Sequence, residues 1–165
     1  MTFTPTLSVV IASCGRPSLV STINSIIYQD HEAELLIDLN HDIPWGNAAR
    51  QRMMLRARGS HILFMDDDDR YAPAAFETVC RVVAENPARV HMFRMARPGL
   101  DDDIWREPVL ELGNVSTQMV IVPNVPDKLG AWTDRYEGDW DFISDTVARL
   151  GEPIWREEVI AIYGS

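Results

Sequence analysis

The feature that most constrains this chain is an apolar segment that runs without a break into four carboxylates, His61-Ile-Leu-Phe-Met65 followed by Asp66-Asp-Asp-Asp69. A short apolar run of this kind reads as a buried strand. Two unit charges ~4 Å apart interact by about 1 kcal/mol in water and about 4 at an effective dielectric of 20, so four adjacent carboxylates at the mouth of a sheet need something to offset them. If the backbone stays extended, side chains alternate, and Asp66 and Asp68 point to one side while Asp67 and Asp69 point to the other. Carboxylates on one side suit a hard cation such as Mg²⁺ or Mn²⁺, which completes its shell with water and substrate phosphate oxygens. Most charge runs are solvated loops; this one follows a buried strand directly, which favours the metal site.

The surrounding pattern places that strand third in a series. Leu7-Ser-Val-Val-Ile-Ala12 is rich in β-branched residues and stops at Ser13-Cys-Gly-Arg-Pro17. Pro17 suits the start of a helix whose stripe is Leu19, Ile23, Ile26 and Ile27. Glu34–Asp38 reads as a second strand, the loop 40–46 leads into a helix over 47–58, and Gly59 is positioned to end it. After the acidic run Pro73 opens a helix with Phe76, Val79, Cys80 and Val83 on one face, stopped by Asn86-Pro87. This βαβαβα order predicts an α/β fold: a Rossmann-like, mostly parallel central sheet with helices on both faces and ligands at the carboxyl ends of the strands.

Beyond it, strands are predicted at 89–96, 109–112 and 118–122, with a polar loop over 97–107. A helix over 141–150 and a strand over 159–163 follow. With 165 residues and no linker or repeat, one domain over 1–165 is expected.

Composition narrows the function. The formal charge of −10 argues against nucleic acid or an anionic membrane as the main partner, because both need a basic surface. No run approaches the roughly 20 apolar residues of a membrane span. Cys14 and Cys80 have no metal-like spacing and read as two reduced thiols, so a cytoplasmic location is expected. Neither a G-x-G-x-x-G nor a P-loop motif occurs, which leaves the metal as the route to a phosphate group. A second acidic group lies in Tyr136-Glu-Gly-Asp-Trp-Asp141. Asp141 reads as a helix cap, and Trp132 and Trp140 as either core or sugar contacts.

The order of motifs resembles that of family 2 glycosyltransferases, which have the GT-A fold. The resemblance rests on the strand and turn Leu7 to Pro17, on Ala48-Ala-Arg-Gln-Arg-Met-Met-Leu-Arg-Ala-Arg-Gly59, which is similar to the family's Ala-Arg-Asn helix, on the strand ending in Asp66 to Asp69, similar to its Asp-x-Asp-Asp, and on Leu129-Gly-Ala-Trp with Gly138-Asp-Trp-Asp-Phe. It implies a metal-dependent, inverting transfer of sugar from a nucleotide-sugar to an acceptor hydroxyl. By the same resemblance Asp68 would be the direct metal ligand for Mn²⁺ or Mg²⁺, and Asp66 would contact ribose or a metal-bound water, with Asp67 beside them. Ser13 and Asp38 would line the nucleoside pocket, Arg16, Arg50 and Arg70 would reach the diphosphate, and Asp139 would be the catalytic base. Gly138 stands where the family has Glu, Gln51 stands where it has Asn, and no His occupies the place of an additional metal ligand. The acceptor is not identified by the resemblance. Alternatives of other classes are an inactive nucleotide-binding or protein-interaction module and a nucleotidyltransferase.

Overall fold

The computed structural model describes residues 4–39, 44–100, 105 and 107–164. Its elements are β1 (Leu7–Ser13), α1 (Leu19–Ile27), β2 (Ala33–Leu39), α2 (Asn47–Met54), β3 (His61–Asp66), β4 (Arg70–Tyr71), α3 (Ala75–Glu85), β5 (His91–Ala96), β6 (Val120–Pro123), α4 (Gly138–Leu150) and β7 (Ile154–Ile162). One seven-stranded sheet runs in the order β2-β1-β3-β6-β5-β7-β4.

β1 is buried along its whole length because it lies between two strands, as its Val and Ile run requires. Both neighbours are parallel to it, and the register pairs Leu7 with Ala33 and with His61. At the other end Ala12 pairs with Asp66, so the end of β1 lies beside the start of the acidic run. Helix α2 packs over β1 and β2, and α3 packs against β7.

The expectation of a mostly parallel sheet is corrected. β3–β6, β5–β6 and β4–β7 are antiparallel, which makes the sheet mixed. A parallel neighbour needs a crossover of a dozen or more residues, usually a helix. The regular alternation ends at α3: among the described residues between β5 and β6 the one helical element is a single 3-10 turn, Thr117–Met119, and β4 follows β3 through a tight turn.

Other boundaries also differ: the last strand, expected over 159–163, begins five residues earlier and spans Ile154–Ile162. The predicted strand at 109–112 is instead a loop, in which the Asn114 carboxamide donates to the carbonyls of Glu107 and Val109 and leaves Leu112 exposed. Helix α2 ends at Met54, short of Gly59. Gly59 is a crossing point: a Cβ there would lie 2.7 Å from the Ser8 amide nitrogen and 2.8 Å from the Leu7 carbonyl carbon. Helix α4 begins three residues early, at Gly138, and Asp141 does not cap it. The Asp141 carboxylate instead accepts from Thr133 and Arg135, and these bonds hold its pKa below the usual range. The predicted loop over 97–107 falls partly outside the described residues. Among those described, no helix is long and apolar enough to cross a membrane.

A buried histidine gives the fold an acid limit. His91, fully buried, donates from Nε2 to the Asn86 carbonyl at 3.0 Å, while Arg156 Nε points at its Nδ1 at 3.4 Å. That arrangement suits the neutral ring: a second proton on the buried ring would face the Arg156 guanidinium. Burial is the largest cause lowering its pKa, to about 4; the bond to the Asn86 carbonyl and Glu85 oppose it, and Arg156 and His61 add to it. The unfolded ring takes a proton near 6.5, so the unfolded state binds more protons between about 6.5 and 4, and stability falls as pH drops through that window. We expect His91 to contribute a loss of roughly 2–3 kcal/mol there. An NMR titration placing the His91 midpoint above 6 would contradict this.

Candidate active site at the carboxyl end of the third strand

β3 ends at Asp66, and the chain does not stay extended. The Asp69 amide donates back to the Asp66 carbonyl at 3.3 Å, closing a turn through Asp67 and Asp68. The Thr22 hydroxyl on α1 donates to the Asp69 carbonyl at 2.6 Å and fixes the turn's far side. The alternation expected from an extended chain is therefore corrected. Asp66, Asp68 and Asp69 come together, each offering a carboxylate oxygen within 4.8 Å of the other two. Asp67 alone turns towards β1, where it accepts from the Ser13 hydroxyl at 2.6 Å.

The three carboxylates have different surroundings. Asp69 is buried, yet it accepts from the Gly164 amide at 2.8 Å and from Gln118 Nε2 at 2.7 Å. Burial dominates and pushes its pKa up to about 6. The same Gln118 nitrogen donates to Asp66 at 2.8 Å, so one neutral amide bridges two anions. Asp68 is half-exposed and ion-paired with Arg16, and its pKa is raised by partial burial, against the pull of Arg16. Asp66 is ion-paired with Arg50, which is itself buried and also donates to the Trp45 carbonyl at 2.6 Å.

These residues form the floor of an open cleft of about 900 Å³, lined also by Ser13, Arg16, Arg50, Asp67, Gln118 and Tyr163. Of the site residues expected from sequence, Ser13, Arg16, Arg50, Asp66, Asp67 and Asp68 line this cleft. Asp38 does not; it pairs with Arg52 at 2.7 Å on the α2 side of β2. Arg70 is also outside the lining and donates to the Gly164 carbonyl at 3.2 Å. Asp139, in the first turn of α4, borders an adjoining cavity of about 340 Å³ that shares Asp66, Arg50, Trp45 and Tyr136 with the cleft. Its carboxylate accepts from the Trp140 amide at 2.7 Å. Burial raises its pKa, and the charge of Asp66 adds to the rise.

Trp132 is core, stacked on Phe142 with an interplanar angle of 8° and 5.1 Å from Phe64. Cys14 is exposed and Cys80 buried, and neither is in a disulfide.

The donor set fits a small divalent cation: all ligand atoms are hard oxygens, and three of them are held at bridging distance by a turn and a bridging amide. Sequence reasoning set Asp69 on the side away from Asp66 and Asp68, and it missed Gln118, Trp45 and Tyr136. For Gln118 a signal existed: it is the last polar residue before the apolar stretch Met119 to Val122, at the entry to a strand. Trp45 and Tyr136 carried none, because an aromatic residue in a loop reads the same whether it faces a cleft or the core.

An α/β sheet with a clustered acidic turn at its strand ends defines a class of protein that binds ligands at that edge. Residues 36–133, more than half of the chain, match the model of glycosyl transferase family 2. The chain belongs to that family. It is similar in fold to TarS from S. aureus: the 1–349 fragment superposes with a TM-score of 0.77 at 14% identity, covering 96% of this chain and 60% of that one. The same fragment in complex with UDP-GlcNAc gives 0.76 at 13% identity, covering 97% and 58%. The complex with UDP gives 0.71 at 15%, covering 95% and 60%. This chain thus spans about 60% of the length of the TarS fragment it matches. No curated protein sequence matches it.

Proposed function

We propose that this chain transfers a sugar from a nucleotide-sugar donor to an acceptor hydroxyl with inversion at the anomeric carbon, and that Asp139 is the general base. The observation that carries the proposal is the convergence of Asp66, Asp68 and Asp69 on the floor of one cleft, with Asp139 on the wall of the cavity that opens from it and shares Asp66. Membership of glycosyl transferase family 2 supports sugar transfer. The binding of UDP-GlcNAc and UDP by TarS, which has the same fold, supports a nucleoside diphosphate as the carrier.

Asp66, Asp68 and Asp69 would hold Mn²⁺ or Mg²⁺. Bound there, the ion would supply positive charge where the leaving diphosphate gains negative charge. The chain's own residues do the rest. Arg16, half-exposed at the rim, already balances Asp67 at 3.3 Å and is placed to meet a phosphate oxygen. Arg50 holds Asp66 in position from beneath. Asp139 takes the proton from the acceptor hydroxyl as that oxygen bonds to the anomeric carbon, and the bond to the diphosphate oxygen breaks with its electron pair leaving on the diphosphate. Partial burial makes Asp139 a stronger base than a solvated carboxylate, because its pKa lies closer to working pH. The exposed Cys14 thiol fits a reducing, cytoplasmic setting.

Calorimetry tests the donor site. UDP and GDP are expected to bind with Mn²⁺ or Mg²⁺ present and to lose at least about tenfold in affinity with a chelator, because the uncompensated carboxylates then face the diphosphate. Asp68→Asn is expected to lose a similar factor. Equal affinity with and without metal would remove the cation from the proposal.

A further inference from the structure

The cavity that Asp139 borders has two features that donor binding does not explain. At its rim stand Trp45 and Tyr136, 55% and 72% exposed, with ring centroids 5.0 Å apart and planes at 76°. They come from distant parts of the sequence, Trp45 from just before α2 and Tyr136 from just before α4, and both border the cleft and the cavity. Large aromatic rings left in water next to a concave surface are unusual unless something covers them. Trp45 is also held at φ 68°, in the left-handed region that a bulky side chain rarely occupies. A strained residue that persists at a site is held there by its surroundings; here Arg50 grips its carbonyl.

The second feature is charge. The cavity wall carries Asp66, Glu137 and Asp139. Among the described residues its one cation, Arg50, is already engaged by Asp66, by the Trp45 carbonyl and by Asn47. Glu137 has Arg135 only at 3.8 Å, and that guanidinium is held by Asp141. With Asp66 turned to a bound ion, an anionic group entering this cavity would still meet Glu137 and Asp139 and, among the described residues of the wall, no unengaged guanidinium. Leu112, Val115 and Trp140 add apolar surface to the wall, and Asn47, Ser116 and Thr117 add uncharged polar groups.

We propose that this cavity receives the acceptor as an uncharged sugar ring, seated against Trp45 and Tyr136, and that its carboxylates exclude acceptors bearing phosphate, sulfate or uronate groups. A pyranose ring has an apolar C–H face that covers an aromatic ring and hydroxyl edges that donate to carboxylates, and the wall offers both partners. At about 340 Å³ the space is at the small end of the range for ligand sites, ~300–1,000 Å³, which suits one ring better than an extended chain. The assignment rests on the sugar-transfer reading above and names the acceptor class for it.

The test is glycan binding on an array that prints uncharged glycans beside phosphorylated, sulfated and uronic counterparts, in buffer with UDP and Mn²⁺, alongside calorimetry of UDP with Mn²⁺. Uncharged glycans are expected to be retained at least about tenfold better than anionic ones. Tyr136→Ala is expected to lower retention about tenfold, by loss of the ring, while Tyr136→Phe keeps it. Glu137→Gln is expected to narrow the discrimination against anionic glycans. UDP binding together with a preference for anionic glycans, with no glycan retained, or with no change in Tyr136→Ala would overturn the acceptor assignment and leave the donor reading standing. Failure of the unaltered chain to bind UDP at all would overturn both.

Discussion

Asp139→Asn is expected to lower the rate of sugar transfer by about 10²–10⁴-fold while leaving the affinity for UDP with Mn²⁺ unchanged. The factor is that of removing a positioned general base. The substitution isolates the proton-accepting role because it preserves shape and Oδ1, which receives the Trp140 amide at 2.7 Å. The first turn of α4 therefore keeps its hydrogen bond, and a change in folding is not the expected cause of lost rate. Asp139 borders the adjoining cavity and is not among the residues lining the main cleft, so donor affinity has no reason to change. A fall in kcat with a constant donor Kd is the expected signature. A variant that turns over at the original rate would remove Asp139 from the chemistry.

The sequence made part of this site legible because local chemistry and strand order pointed the same way. An apolar strand running into four aspartates puts those aspartates at the edge of a sheet whatever the rest of the chain does, and β3 ends where the polarity changes, at Asp66. Ser13 came only from the resemblance to the family; in the structure it lines the cleft at the end of β1, beside β3. What failed depended on how the backbone turns. Alternation along an extended strand gives Asp66 and Asp68 a common side but sets Asp69 apart; the turn that closes on the Asp66 carbonyl brings Asp69 back. No periodicity encodes that turn. The mixed sheet was hidden in the same way: β6 is four residues long, and nothing in Val120 to Pro123 states its direction. Asp38 sits at a strand end as expected, but Arg52 on the neighbouring helix pairs with it, and a contact across elements has no trace in either segment alone.

The glycine at 138 gives the last of the large effects. The resemblance to the family leads one to expect a Glu there, and the structure gives a reason for the glycine: a Cβ on Gly138 would lie 2.2 Å from Asn47 Nδ2 and 2.5 Å from the Thr133 carbonyl oxygen. Asn47 is fixed there because its carboxamide donates to the carbonyls of Thr133 and Arg135, at 2.8 and 2.7 Å, which ties the start of α2 to the loop before α4. Gly138→Ala is accordingly expected to destabilise the fold by roughly 3 kcal/mol or more, the upper range for forcing a methyl into a packed site. Asn47→Ala alone leaves two carbonyls without their donor and is expected to cost about 1–3 kcal/mol. In the double variant the shorter side chain vacates the space, so the combined loss should fall short of the sum by at least about 1 kcal/mol, while the Thr133 carbonyl keeps part of the clash. Urea unfolding of the four proteins measures this directly. Additive losses, or a neutral Gly138→Ala, would mean that Asn47 does not set the residue at 138. The expected coupling would mean instead that the missing carboxylate follows from how α2 is anchored to the loop before α4.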